Sequence, residues 1–223
     1  MRDDCDRCVG EGAEMPGPMR YCPNCSMPLT TKVDGGRERI ACPDDDCGFI
    51  HFGNFSIGCA GVVIRDGKAL LVQRGIDPGR GSWQIPGGYV EADELILEAV
   101  EREVREESGV IAKVRDVIGF RHSVGGSIGG PTTNIYLVFR LDYVSGEASD
   151  EDSEVMGAGF FSLEEMEEIP GVQGLSKWAI AKAMVADNGL PGLTPDSLAG
   201  PQRPGFSVFG VGGFSEPLVG AEA

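Results

Sequence analysis

Gly87-Gly88-Tyr89-Val90-Glu91-Ala92-Asp93-Glu94 leads, after seven residues, into Arg102-Glu103-Val104-Arg105-Glu106-Glu107-Ser108-Gly109-Val110. The first segment, with its paired glycines, predicts a loop, and the second predicts the last turns of an α-helix. Asp93 is a suitable N-cap, and Glu94 would place an acid in the first turn, where the helix dipole favours negative charge. Gly109 stands where a helix ends. The pattern therefore predicts a loop–helix–loop unit.

Acidic residues of this predicted helix lie on its apolar side. At about 100° per residue, one arc holds the apolar residues Leu95, Ile96, Ala99, Val100 and Val104. Glu103, Glu106 and Glu107 fall inside the same arc. Carboxylates near a buried face repel one another unless a cation neutralises them. Mg²⁺ is the expected cation, because it prefers oxygen ligands and couples carboxylates to phosphate oxygens.

The spacing of these residues carries a family resemblance. Gly88, five residues, Glu94, seven residues and then Arg102-Glu103-Val104-x-Glu106-Glu107-x-Gly109-Val110 resembles the Nudix box. The alternative is an acidic surface helix that fits the pattern by chance. The resemblance implies hydrolysis of a nucleoside diphosphate linked to another group. It also implies an α/β fold, the Nudix α/β/α sandwich, over roughly residues 56 to 186.

Roles for the box residues follow from the same resemblance. It implies that Mg²⁺ (or Mn²⁺) is held by three carboxylates and one backbone carbonyl, those of Glu103, Glu106, Glu107 and Gly88. A glycine without Cβ lets the backbone approach closely. Arg102 cannot bind a cation, and we expect it to orient Glu103 through a charge-assisted hydrogen bond. Glu94 is expected to pair with Arg102. Glu103, Glu106, Glu107 and Arg102 are thus the predicted catalytic residues.

Residues outside the box are candidates for substrate binding and proton transfer. Arg74 and Arg121, at predicted strand ends, could bind phosphate, and a surface role is the alternative for each. Trp83 could stack on a base, with core packing as the alternative. The general base could be a box glutamate or a carboxylate from a distant loop, for which Glu151 and Glu154 are candidates. Their alternative is a solvated acidic loop.

Cysteine pairs near the N-terminus predict a metal site. Cys22-Pro23-Asn24-Cys25 and Cys42-Pro43-Asp44-Asp45-Asp46-Cys47 flank sixteen residues that predict a hairpin. Four thiolates suit structural zinc, which would supply the folding free energy of so small a unit. The alternative is two redox dithiols, without the βαβ pattern that such sites require. Because the second pair is CxxxxC, His51 or a tail cysteine could replace a ligand, with an ordinary ribbon residue as the alternative for His51. Cys5 and Cys8 could form a second metal knuckle, and an unpaired, flexible dithiol is the alternative.

Composition limits the classes of function. The 223 residues have a formal net charge of −16, which argues against tracking a nucleic-acid backbone. No apolar run is long enough to predict a membrane span or a signal peptide, so a cytoplasmic location is expected. The expected partner is a small-molecule nucleotide, with no nucleic acid and no membrane, and a homodimer is left open.

The chain order predicts four segments. Residues 1–20 form a flexible tail, 21–53 a zinc ribbon, 54–186 the Nudix domain and 187–223 a Gly/Pro-rich disordered tail, in which Phe206, Val208 and Phe209 could dock. Within the domain, the pattern predicts strands over 56–64, 68–74, 112–121, 134–143 and 157–161, and helices over 163–168 and 175–186. Cys59 is predicted to be a small buried hydrophobic residue.

A zinc ribbon before this box resembles the NADH pyrophosphatase-like and ADP-ribose/FAD pyrophosphatase-like members of the family. The NADH group carries Ser-Gln-Pro-Trp-Pro-Phe-Pro after the box, whereas this chain has Gly119-Phe120-Arg121-His122-Ser123. The opening Tyr21-Cys22-Pro23-Asn24-Cys25 and the strand residues Ile57-Gly58-Cys59 resemble the ADP-ribose/FAD type, which is therefore favoured. One alternative is a nucleoside triphosphate pyrophosphohydrolase. The other is a non-catalytic nucleotide-sensing module, which commonly loses box carboxylates that are all present here.

Overall fold

The computed structural model describes residues 19–124, 133–150, 153–186, 192–195 and 209–211. Cys5, Cys8, Glu151, Phe206 and Val208 lie outside these ranges. The described residues divide into two compact units. One lies within Met1–Phe55 and Ser123–Asn134, and the other within Ser56–His122 and Ile135–Ala223.

The first unit is built on a β-hairpin. Strands β1 (Thr30–Asp34) and β2 (Arg37–Ala41) pair antiparallel, with Thr30 opposite Ala41 and Asp34 opposite Arg37. Gly35 and Gly36 both adopt positive φ at the tip, a conformation that glycine adopts without steric cost. The hairpin predicted between the two cysteine pairs is therefore confirmed.

The second unit is organised by a nine-stranded sheet of order β11-β10-β7-β8-β3-β4-β5, in which β6 also pairs with β3 and β9 with β4. The strands are β3 (Phe55–Arg65), β4 (Lys68–Arg74), β5 (Trp83–Gln84), β6 (Gly87–Tyr89), β7 (Ile111–Val124), β8 (Thr133–Ser145), β9 (Val155–Phe161), β10 (Leu193–Pro195) and β11 (Phe209–Val211). The helices are α1 (Ile96–Ser108), α2 (Leu163–Glu168) and α3 (Gly174–Ala186). Within the described ranges, no helix has the length and apolarity needed to cross a membrane.

Both faces of the sheet are covered by helices. Successive side chains of a strand point to opposite faces, and β3 shows this directly. Cys59 and Val63 pack with α1 residues in one core, whereas Ala60 and Val62 pack with α2 and α3 residues in the other. This arrangement is the predicted α/β/α sandwich. Cys59 is fully buried among apolar residues, as predicted.

Helix α1 ends where the sequence predicts but begins later. Gly109 is its C-cap with φ 71°, and the Gly109 N–H donates to the Arg105 carbonyl. The N-cap is Leu95, so the predictions that Asp93 caps the helix and that Glu94 lies in its first turn are wrong. Glu98 is the acid of the first turn, and its carboxylate accepts a hydrogen bond of 3.1 Å from the Leu95 N–H.

Other element boundaries agree with the sequence pattern to within three residues. Strand β4 and helix α2 match the predicted ranges, and the Ser162 side chain caps α2 by accepting from the Glu165 N–H. The strands β7, β8 and β9 extend beyond their predicted ends. Polar or exposed residues at the strand ends show no alternation of apolar and polar residues, so the sequence pattern does not include them. Backbone pairing with neighbouring strands nevertheless extends the strands through these residues.

The C-terminal region holds two short strands where the sequence predicts a disordered tail. Strand β10 pairs with β11 along three residues, and Leu193 lies opposite Val117 of β7. The prediction is therefore wrong for these two segments. Three-residue strands are too short to show a period, and their pairing depends on the exposed edge of β7, which presents unpaired N–H and C=O groups.

A buried ion pair links β7 and β8. Asp116 and Arg140 are 2% and 4% exposed. Arg140 donates to Asp116 through both Nε, at 3.2 Å, and Nη2. Two hydrogen bonds in parallel are the strong arrangement for a guanidinium and a carboxylate. Leaving a charge buried without its partner lowers the stability of the folded protein. Replacing one member of this pair alone should therefore destabilise the contact between β7 and β8.

We expect Asp116→Ala to lower the free energy of unfolding by about 3–5 kcal/mol, because the buried Arg140 guanidinium would lose the carboxylate that accepts two of its hydrogen bonds. Chemical denaturation with a fluorescence readout measures this. The matched control is Asp142→Ala on the same strands, where Asp142 lies 3.7 Å from Arg115 and is 65% exposed. That change should cost less than about 1 kcal/mol. Equal losses in both variants would contradict the prediction.

Candidate functional site

The glycine-rich loop meets the last turns of α1. Strand β6 pairs with β3 so that Gly88 lies opposite Cys59. A Cβ placed on Gly88 would lie 2.6 Å from Glu103 Oε1, closer than real Cβ contacts allow. The expected reason for a glycine here, close approach of the backbone to the carboxylates, is therefore visible in the packing.

Arg102 connects the loop to the helix. Its guanidinium donates to Glu94 through Nη2 at 2.6 Å and through Nε at 3.0 Å. Nη1 donates to Glu103 at 2.9 Å and to Glu106 at 3.0 Å. The expected contacts of Arg102 with Glu94 and Glu103 are both present. Nη2 also donates to the Tyr89 carbonyl at 3.3 Å, so Arg102 fixes β6 as well.

Glu103, Glu106 and Glu107 form what we call the carboxylate cluster, and they differ in environment. The side chain of Glu103 is 15% exposed and that of Glu106 is 45% exposed. Glu107 Oε2 accepts a hydrogen bond of 2.7 Å from the Gly87 N–H. The prediction that all three point toward the buried face is therefore wrong for Glu106. Salt bridges to the partly exposed Arg102 and to Arg105 draw it outward.

The carboxylate cluster is looser than the cysteine quartet. Among the residues that the structure describes, only the quartet brings three or more metal-ligating side chains within 4.8 Å of one another. Glu103 and Glu106 are instead drawn to Arg102, and Glu107 to the loop backbone. The like-charged carboxylates repel one another, and hydrogen-bond donors on different sides of the cluster hold them apart.

Burial and charge shift the pKa values of this region in opposite directions. Burial raises the pKa of Glu103, and the nearby Glu106 and Glu94 charges raise it further, against the opposing effect of Arg102. The hydrogen bonds from Arg102 lower the pKa of Glu94. A nearby cation would offset the effect of burial on Glu103.

We expect Glu94→Gln to destabilise the protein by about 1–3 kcal/mol at neutral pH, since Arg102 would lose its bidentate partner. A lowered folded-state pKa gives stability that is present above the unfolded value, about 4.3, and is lost as pH falls through the folded value. The difference between wild type and variant should therefore shrink below about pH 4. Chemical denaturation of both proteins at pH values between 3 and 8 measures this difference in the free energy of unfolding.

Glu147→Gln is the control for that series, because Glu147 pairs with Arg65 at 3.2 Å and is 83% exposed. Glu147→Gln should lower the free energy of unfolding only slightly at every pH, because surface ion pairs contribute little in general. A Glu94→Gln penalty that is independent of pH would contradict the electrostatic explanation.

One aromatic residue, Tyr136, is not among the predicted site residues and packs against Gly58, beside the Gly88 carbonyl. The Arg121 guanidinium lies 5.0 Å above the centre of the Tyr136 ring. Burial raises the pKa of the Tyr136 phenol, and among the nearby charges Glu107 and Glu103 raise it while Arg121 lowers it. An aromatic residue in a strand predicts only core packing, so no sequence signal marks Tyr136.

Two residues that were predicted to bind substrate, Arg74 and Trp83, make contacts within the protein. Arg74 Nε donates to the Pro78 carbonyl at 3.0 Å, which holds it against its own loop. Trp83 packs edge-on against Phe161, with ring centres 5.1 Å apart. Among the described contacts, neither side chain reaches the carboxylate cluster. Trp83 is half-buried and packs against the second core, and its stacking on a base stays a prediction. Of the candidate bases, Glu154 offers its backbone carbonyl to Gly75.

The cysteine quartet, Cys22, Cys25, Cys42 and Cys47, forms a compact cluster in the first unit. Sγ of Cys22 lies 3.6 Å from that of Cys47, and Sγ of Cys25 lies 3.5 Å from that of Cys42. Tetrahedral zinc with Zn–S of about 2.3 Å requires sulfur atoms roughly 3.8 Å apart. The quartet fits such an ion despite its CxxxxC pair. His51 contributes only its backbone N–H, to the Ile40 carbonyl, among its described contacts.

Comparisons with known proteins agree with this geometry. The family model described as the NUDIX domain matches residues 57–180. An ADP-ribose pyrophosphatase of Methanocaldococcus jannaschii is 38% identical over 48% of this chain and 62% of its own length. An NAD-capped RNA hydrolase NudC of Stutzerimonas stutzeri is 28% identical over 77% of this chain and 58% of its own. The chain thus spans less than two thirds of either relative.

A solved structure shares the fold. The crystal structure of a NUDIX hydrolase from Nitrosomonas europaea superposes with a TM-score of 0.64 at 22% identity, covering 78% of this chain and 96% of that one.

Proposed function

The chain belongs to the Nudix family, and from this premise we propose that it hydrolyses the diphosphate bond of a nucleoside diphosphate derivative in an Mg²⁺-dependent reaction. The observation that carries the proposal is the packing of Gly88 against Glu103 at the end of α1. Glu103 of the carboxylate cluster thus lies against a glycine strand that has no Cβ in its way.

The residues present fit a hard divalent cation. We propose that Glu103, Glu106, Glu107 and the Gly88 carbonyl hold Mg²⁺ (or Mn²⁺), all with oxygen donors. Such an ion neutralises phosphate oxygens and lowers the pKa of a bound water. The raised pKa of Glu103, caused first by burial, supports this assignment because a buried carboxylate is stabilised by a nearby cation.

Arg102 and the loop backbone prepare the cluster. Arg102 holds Glu103 and Glu106 from one side, and the Gly87 N–H holds Glu107 from another. Carboxylates that are already held in position need to move less when charge develops during the reaction. In that reaction a water oxygen forms a bond to one phosphorus, the bridging P–O bond breaks, and two phosphomonoesters leave.

For the substrate, we propose ADP-ribose first. The relative with 38% identity carries that name, and the segment expected of an NADH pyrophosphatase is absent from this chain. An NAD-type substrate is the second candidate, because the NudC relative aligns over 173 residues, more than the matched Nudix segment contains. A nucleoside triphosphate and a non-catalytic sensing role are the remaining alternatives.

Release of the nucleoside monophosphate product from a substrate panel tests these proposals: AMP from ADP-ribose, NADH and FAD, the matching nucleoside monophosphate from each triphosphate, and nicotinamide mononucleotide from the capped RNA. The panel is ADP-ribose, NADH, FAD, nucleoside triphosphates and a short NAD-capped RNA, each with Mg²⁺, with Mn²⁺ and with EDTA. We expect Mg²⁺-dependent cleavage with the highest kcat/KM on ADP-ribose. Preference for capped RNA would contradict the expectation, drawn from net charge, that nucleic acid is not a partner. No turnover on any member would overturn the enzymatic proposal.

We expect Gly88→Ala to reduce kcat/KM by about 10²-fold, as displacements of about 1 Å in an active site do. The new Cβ would lie 2.6 Å from Glu103 Oε1 and force that carboxylate to move. Steady-state kinetics on the best panel substrate measure the loss. Gly174→Ala is the matched control, since a Cβ there meets nothing within 4 Å. Equal activities of the two variants would contradict a tight fit at Gly88.

For the first unit, we propose that residues 21–53 are a zinc ribbon and that Cys22, Cys25, Cys42 and Cys47 bind one structural Zn²⁺. Burial raises the pKa of the Cys22 thiol, but N–H groups of Cys25 and Asn24 bring it to about 7. A thiolate is the form that binds metal. Residues 54–186 are then the proposed catalytic domain.

A further inference from the structure

One buried hydroxyl connects helix α3 to the glycine-rich loop. Ser176, in the first turn of α3, accepts a hydrogen bond of 3.0 Å from the Ile85 N–H through its Oγ. Ile85 stands two residues before Gly87, the first residue of β6. We propose that Ser176 is a positioning residue, which fixes the backbone of Gly87 and Gly88 for metal binding. The inference rests on the proposed function and adds to it a residue far from the Nudix box.

Strand β5, which leads into the glycine-rich loop, is held by the residues at the start of α3. The Trp83 N–H donates to the Gly171 carbonyl at 3.0 Å, and the Gln173 N–H donates to the Trp83 carbonyl at 2.9 Å. The Ser176 hydroxyl adds a third contact, to Ile85, one residue beyond the end of β5. These three contacts form a ladder that ends directly before the loop.

Side-chain oxygens from two helices hold the backbone on either side of Pro86. Before it, the Ile85 N–H donates to Ser176 of α3. After it, the Gly87 N–H donates to Glu107 of α1 at 2.7 Å. Because proline has no N–H, these are the two donors that the backbone offers over residues 85–87. A shift of Ile85 would therefore also move the N–H that holds Glu107.

The hydrogen bond between Ser176 and Ile85 lies inside the protein. The two residues are 2% and 3% exposed. Ala179 and Ile180, which follow Ser176 by one turn on the same side of α3, are fully buried in the apolar core. Packing alone would be served by an alanine at position 176, so the hydroxyl is explained by its bond to Ile85. A buried N–H that loses its acceptor is unfavourable, and the backbone around it shifts in response.

The glycine-rich loop has little room for such a shift. A Cβ on Gly87 would overlap the Cys59 carbonyl oxygen, and a Cβ on Gly88 would lie 2.6 Å from Glu103 Oε1. The Gly88 carbonyl is the proposed backbone ligand of Mg²⁺, an ion that requires nearly ideal octahedral geometry. Loss of the Ser176 hydroxyl should therefore weaken metal binding by displacing this carbonyl.

The test compares Ser176→Ala with the control Ser162→Ala. The Ser162 hydroxyl also accepts from a backbone N–H, that of Glu165, but it caps α2. We expect Ser176→Ala to lower kcat on ADP-ribose about tenfold, as the loss of a residue that orients a metal ligand does. The Mg²⁺ concentration for half-maximal activity should rise, with KM for ADP-ribose little changed. Ser162→Ala should lose stability but keep kcat and the Mg²⁺ requirement.

Ser176→Thr tests the hydroxyl itself, because it keeps the oxygen that accepts from the Ile85 N–H. It should restore kcat and the Mg²⁺ requirement to nearly the wild-type values. Where Ser176→Thr does not fold, Ser176→Cys takes its place, and its weakly accepting sulfur should give values between those of Ser176→Ala and wild type. A replacement that folds but is as impaired as Ser176→Ala would overturn the positioning role.

Binding of Mn²⁺ to the zinc-loaded proteins, measured by calorimetry, separates this inference from the proposed function. Weaker binding to Ser176→Ala alone, in a protein that hydrolyses no panel substrate, would support the positioning role and overturn the enzymatic proposal. Unchanged kcat and Mn²⁺ affinity of Ser176→Ala in an active protein would overturn the positioning role and leave the enzymatic proposal intact. Equal impairment of Ser162→Ala would also overturn the positioning role, because the loss would then follow stability. A wild-type protein that neither binds Mn²⁺ nor hydrolyses any substrate would overturn both.

Discussion

Glu107→Gln is expected to lower kcat by at least about 10²-fold, the equivalent of nearly 3 kcal/mol in the activation barrier. Glutamine keeps the shape of the side chain and a carbonyl oxygen that can still accept from the Gly87 N–H, where Glu107 Oε2 now accepts at 2.7 Å. The fold should therefore survive. The variant removes one negative charge from the proposed metal site, and a metal-dependent phosphoryl transfer depends on that charge.

Kinetics with Mg²⁺ titrated over a wide range measure this effect. If Glu107 is a ligand, the variant should need more Mg²⁺ and should recover only part of its activity at saturation. Glu168→Gln makes the same chemical change at an exposed position of α2 and should leave kcat unchanged. Full activity of Glu107→Gln at the wild-type Mg²⁺ requirement would remove Glu107 from the proposed site.

Cys22→Ser is expected to abolish zinc binding and the folded structure of the ribbon. Structural zinc contributes about 10–16 kcal/mol of apparent binding free energy in small metal-dependent units. The ribbon has little apolar mass of its own, since large hydrophobic residues such as Tyr21, Val33 and Phe52 are exposed. Metal analysis of the purified protein should find about one zinc in wild type and none in the variant.

Limited proteolysis provides the structural readout for Cys22→Ser, with new cleavage expected within residues 21–53. Cys59→Ala is the control, because Cys59 is buried in the sheet core and is not part of the quartet. It should retain zinc. A zinc-free wild-type protein that resists proteolysis would show that the quartet does not need a metal to fold.

Periodicity and motif spacing correctly predicted most of the second unit. The apolar arc of α1 predicted the burial of Ala99, Val100 and Val104, all fully buried. The left-handed conformation at Gly109 follows from the absence of a Cβ. Both signals are local, because they depend on residues within a few turns of one helix. The box spacing likewise predicted the contacts of Arg102 with Glu94 and Glu103.

Predictions failed for two different reasons. At the start of α1 the cause is local: the Glu94 carboxylate accepts from the Glu91 N–H and from Arg102, and the helix begins after it. At the edge of β7 the cause is distant in sequence, because β7 pairs with Leu193, far along the chain. Local propensity contains no information about that second partner.

The sequence by itself determined the family, the box residues and the cysteine quartet, because each depends on residue types at fixed short spacings. Only the tertiary structure decided that Glu106 turns outward, that Trp83 packs on Phe161 and that the Tyr136 ring packs on Gly58 with Arg121 over it. Those outcomes depend on which strands lie side by side and on the room that a missing Cβ leaves. Packing of this kind joins residues whose sequence separation carries no signal.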